Sequence, residues 1–164
     1  MKIHFFNTRS LATQLALGKV DELLTFQYFF ANNILWTLTL YYGLLSGAKL
    51  SWLLVLEIVI VIVITVLGLR RAFDANGGPS GQGFVIRATC LLFPIGIKIT
   101  VASIALGWVN YFLFPIIIDP MSFREPERVY DLVTLIWAPI FTAILFWRLR
   151  LHITSISRQA ASNE

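Results

Sequence analysis

Two ionisable residues interrupt long apolar runs: Glu57 within 50–69 and Lys98 within 88–113. Charge at bilayer depth is costly and survives where it faces a partner, a bundle interior or a water-filled cavity. A carboxylate and an ammonium in one layer can pair, relay a proton or bind an ion, which makes them the first candidates for chemistry. Asn32 and Asn33, in the middle of the run 23–45, add two amides that both donate and accept. At about 1.5 Å per residue Glu57 lies roughly 4 Å from the centre of its run, and Lys98 about 15 Å from the inner end of its own. Three runs therefore bring polar groups to one depth. An intramembrane network is expected, with Glu57 and Lys98 paired directly or through water and Asn32 or Asn33 completing the hydrogen bonds. The plainer alternative is adhesive: polar side chains fix helix register, or Lys98 snorkels outward on its stem.

Prolines sit beside these groups. In Phe93-Pro94-Ile95-Gly96-Ile97-Lys98, Pro94 frees the carbonyl of Cys90 and Gly96 eases a kink. Pro139 interrupts the run 129–149, where Thr134 and Thr142 are placed to meet freed backbone groups. Two mid-run prolines suit a bundle with an internal cavity, or ordinary packing.

The segment 70–87 is the other chemical candidate. Gly77, Gly78, Gly81 and Gly83 fall within seven residues, flanked by Arg70, Arg71 and Arg87. Successive glycine amides beside a helix start can cradle an anion, so a phosphate or phospholipid head group would suit this loop. It lacks the Lys-Ser/Thr pair of a phosphate-binding P-loop, and no soluble strand precedes it as a dinucleotide fingerprint requires. The alternative is a tight, flexible connector. His4, His152 and Cys90 have no spaced ligand set around them, so no metal, cofactor or catalytic triad is expected.

The elements that must position these groups follow from composition. The chain of 164 residues is 57% hydrophobic and 13% charged, with a mean hydropathy of +0.76. Soluble domains carry roughly 25% charged residues. The expected architecture is all-α: one multi-pass domain over 1–164 with four membrane spans near 23–45, 50–69, 88–113 and 129–149. A further short helix over 10–22, capped by Ser10 and carrying Leu11 and Leu15 on one side, is expected at the membrane interface. The long first run argues against a cleaved signal peptide.

Nine basic residues (Lys2, Arg9, Lys19, Arg70, Arg71, Arg87, Arg148, Arg150, Arg158) fall on one side, against Lys49, Arg124 and Arg128 on the other. The positive-inside rule places both termini in the cytoplasm, in a plasma (inner) membrane. This clustering at span ends explains the net charge of +4 without nucleic acid. Tyr41, Tyr42, Trp52, Trp108 and Tyr111 are expected at the outer boundary, Trp147 at the inner, and 114–120 as an outer loop hugging the membrane.

Such a chain encloses little volume alone, so it is expected to contact membrane lipid and to form a homo-oligomer or pack on a partner membrane protein. The leading expectation is a non-enzymatic subunit, scaffold or small regulator of a membrane assembly. The alternative is a small oligomeric transporter or channel that uses Glu57 and Lys98.

Overall fold

The computed structural model describes residues 7–45, 52–118 and 126–161, with the backbone alone for 40–45, 110–118, 126–134 and 160–161. Lys2, His4, Lys49, Arg124 and residues 119–120 of the expected outer loop lie outside the described residues. These form five helices: α1 (Thr8–Ala16), α2 (Glu22–Leu45), α3 (Trp52–Ala75), α4 (Phe84–Ile118) and α5 (Pro126–Ala161), with a 3-10 turn at Gly78–Ser80.

The N-terminal helix is shorter than expected and starts earlier. Asn7, not Ser10, caps it: the Asn7 side-chain oxygen accepts from the Ser10 amide at 3.1 Å. Gly18 ends it at φ 64°, with the Gly18 amide bonded to Leu15 O and the Lys19 amide to Gln14 O. This pair of bonds satisfies the last carbonyls and turns the chain. Asp21 then caps α2 through the Leu24 amide at 2.8 Å. The expected helix over 10–22 thus ends at Ala16, turns at Gly18 and gives way to the cap of α2.

Three helices among the described residues are long and apolar enough to cross a membrane: α3, the Phe84–Val109 part of α4 and the Leu135–Gln159 part of α5. The helix α2 matches α3 in length at 24 residues, but Gln27, Asn32 and Asn33 dilute its apolar character. At about 1.5 Å per residue, α4 and α5 exceed 50 Å against a hydrocarbon layer of about 30 Å, so both run past it. Residues 114–118, expected as loop, are the last turns of α4. Both helices continue through Pro94 and Pro139.

In the packing, α3 lies along α5, α2 along α4, and α4 against α5, while α1 wedges against both α4 and α5. The core is concentrated at the end of the bundle that carries the α3–α4 connection. It joins Leu11 and Leu15 of α1, Leu24 and Tyr28 of α2, Cys90, Leu91 and Phe93 of α4, and Leu149, Ile153 and Ile156 of α5. Tyr28 and Phe93 meet edge to face at 6.1 Å. Leu11 is completely buried, so α1 docks its apolar stripe into the bundle rather than lying apart from it. Cys90, expected as a small apolar filler, is completely buried too.

The α3–α5 contact depends on small residues. Gly68, Ala72 and Ala75 recur at helical spacing, and a Cβ at Gly68 would stand 2.5 Å from Cβ and Cγ of Phe146. Close approach of this kind is how helices gain packing energy where lipid supplies no hydrophobic drive. The Ser157 hydroxyl donates to Ala75 O at 3.2 Å, tying the same ends together. Away from the core, Val59, Val63, Val66, Val101, Ile104 and Trp108 are exposed, the pattern of helices that face lipid or another protein. Trp52 and Trp147 are exposed as well.

Candidate functional site

The expected Glu57–Lys98 pair is divided between two interfaces. Lys98 turns to the N-terminal helix: its ammonium donates to Thr8 Oγ1 at 2.8 Å. Thr8 is the first residue of α1 and is 5% exposed. Helical side chains lean toward their own N-terminus, so the Lys98 stem carries its charge toward the α3–α4 connection. Charge-assisted hydrogen bonds of this type contribute about 1.5–3 kcal/mol.

Glu57 belongs to the half-buried stripe of α3 that includes Leu53, Ile60, Ile64 and Gly68. That stripe faces α5. Gly68 lies opposite Phe146 and Ala75 opposite Ser157, and the same register sets Glu57 opposite residues 135–139 of α5, which include Pro139. The expectation of common depth fares better than the pairing. Phe73 and Phe84 meet at 5.3 Å. From that level Glu57 is about 24 Å along α3 and Lys98 about 21 Å along α4. Equal depth on different faces explains the outcome.

Asn32 and Asn33 point different ways from α2. Asn32 follows Tyr28 by one turn and precedes Leu35, which approaches Gly96 of α4 to 3.3 Å from where a Cβ would stand. Its side-chain oxygen is buried without a hydrogen-bond partner among the described residues. Asn33 is exposed, and its amide nitrogen returns to Phe29 O at 2.8 Å. Pro94 is completely buried, and Gly96 keeps α2 and α4 close. Near Pro139, the Thr142 hydroxyl donates to Ala138 O at 2.8 Å.

The glycine-rich loop is an ordered knot built on Asn76. Its amide bonds to Ala72 O and Phe73 O, which closes α3. Its side chain is 4% exposed, donates to Gln82 O at 3.2 Å and accepts from Arg87 Nη1 at 2.8 Å. Gly77 turns the chain at φ 100°, and a Cβ on Gly81 would collide with Asn76 O. Gly78 and Gly83 also have positive φ. The Gly77 and Gly81 amides are taken by Asp74 O and Gly78 O, and Arg87 by Asn76. The expected anion cradle is therefore internally bonded at these positions, whereas Arg70 and Arg71 stay exposed on the last turns of α3.

Sequence reasoning missed the basic groups around Lys98. His152 of α5 is half-buried, and the positive charges of Lys98, Arg148 and Arg9 all bear on it. Arg148 and His152 are one helical turn apart, a legible signal. The contribution of Arg9 and Thr8 was not legible, because it depends on α1 docking into the bundle. Comparisons with protein families, characterised proteins and solved structures find no match.

Proposed function

We propose that this chain is a non-enzymatic multi-pass membrane protein that serves as a subunit, scaffold or small regulator of a membrane assembly. In this reading α2 crosses the membrane as well, giving four spans. Both termini face the cytoplasm of a plasma (inner) membrane, as the nine-to-three distribution of basic residues supports.

The observation that carries the reading is the outward face of α2. Phe26, Phe29, Phe30 and Trp36 are exposed along it, with Asn33 at its middle. An amide has two donors and an acceptor, and lipid tails can satisfy none of them. A second polypeptide, either another copy or a partner membrane protein, would supply the missing hydrogen bond and cover the aromatic face. The transport alternative draws less support, since Lys98 is engaged by Thr8 and Glu57 lies on the α3–α5 stripe.

The test is a photoreactive benzophenone amino acid placed at position 33 in the native membrane, with position 63 on exposed α3 surface as the control. The expected result is one cross-linked product of fixed mass from position 33 and a weaker or different pattern from 63. Only uncross-linked chain from position 33 would contradict the reading.

A further inference from the structure

We propose that the junction of α1, α4 and α5 binds a phosphate-bearing anion, presented by an anionic phospholipid or as free phosphate. Three cations and a histidine from three helices meet there: Arg9 from α1, Lys98 from α4, and Arg148 with His152 one turn on from α5. Their assembly is set by the fold. Leu11 and Leu15 hold α1 against Leu149, Ile153 and Ile156, and the Lys98–Thr8 hydrogen bond fixes the ammonium at the seam.

The like charges of Arg9, Lys98 and Arg148 at one seam repel. An anion among them turns that repulsion into attraction. The described carboxylates are committed elsewhere or distant. Asp21 caps α2, Glu22 opens that helix, and Asp74 sits on the last turn of α3. Glu57 starts level with Lys98 but lies on the α3–α5 stripe and leans away from the α3–α4 connection, whereas Lys98 leans toward it. By the α3–α5 register Arg148 lies opposite residues 66–70, about 14–20 Å along the bundle from Glu57.

Chemistry selects phosphate. Guanidinium groups match its oxygens in a bidentate fork, and an ammonium adds a compact point charge. Among the described residues the bond to Thr8 uses one of the three N–H donors of Lys98. Arg148 lies over the exposed Trp147 ring at 5.4 Å, and Trp is enriched at head-group depth. This site is separate from the glycine-rich loop, where Arg87 is held by Asn76.

The experiment is native mass spectrometry of the full chain in detergent, titrated with phosphatidylglycerol, with phosphatidylcholine, and with phosphatidylglycerol in the presence of inorganic phosphate. One phosphatidylglycerol per chain is expected at concentrations where phosphatidylcholine does not bind. Lys98→Gln and Arg148→Gln should each weaken it by about tenfold, Lys98→Arg should retain most of it, and Arg158→Gln should change it by less than about twofold. Loss of the lipid to inorganic phosphate would assign the site to free phosphate, and its retention would assign it to the lipid. Arg148 is exposed, so its variant decides the matter if Lys98→Gln melts early in lipid-free detergent. Equal binding of the two lipids, no binding of either, or unchanged affinity in Arg148→Gln would overturn the proposal.

Discussion

Gly68→Val should destabilise the bundle by about 1–3 kcal/mol, because overpacking a tight contact forces backbone or rotamer shifts. The collision is with the root of Phe146, its Cβ and Cγ, not with a flexible tip that can swing aside. Gly68→Ala already places an atom at 2.5 Å and should have the same sign with a smaller size. Combining Gly68→Ala with Phe146→Ala, which removes the colliding Cγ, should cost less than the sum of the two single losses, since contacting residues couple. Unfolding titrations in detergent would check this. An unchanged midpoint for Gly68→Val, or additive losses in the double variant, would mean that α3 meets α5 along another face.

Leu11→Ala should cost about 2–5 kcal/mol, the range for emptying a buried leucine site. Leu11 has no exposed surface and joins the same cluster as Leu149, Ile153 and Ile156, so its removal leaves a cavity between α1 and α5. Leu17, one residue beyond the end of α1, is 49% exposed, and Leu17→Ala should stay within about 0.5 kcal/mol. The contrast separates a docked helix from one lying on the membrane surface, where the two losses would be alike. It also bears on the anion site, because Arg9 and Thr8 reach it only on a docked α1.

What could be read from residues alone was the one-dimensional part of the architecture. Apolar length located α3, α4 and α5. Depth was also readable, since counting residues at a fixed rise puts Glu57 and Lys98 in one layer. The lateral arrangement was not. Whether Lys98 meets Glu57 or Thr8 depends on which helix neighbours which and on the facing stripe, and apolar runs carry little periodicity to reveal it. Helix ends were misjudged for a similar reason. Arginine is a good helix former, so Arg70, Arg71 and Arg150 prolong α3 and α5 past the apolar runs that bounded the expected spans. For α1, Asn7 takes the Ser10 amide as its capping donor, so Ser10 lies inside the first turn and does not precede it.

The role in a membrane assembly is tested most directly by extracting the protein gently from its own membrane and weighing the intact complex by native mass spectrometry. The expected result is the chain in a complex of fixed stoichiometry, with further copies of itself or with a second polypeptide. A monomer that carries lipid and no other chain, under conditions that preserve known membrane complexes, would contradict it.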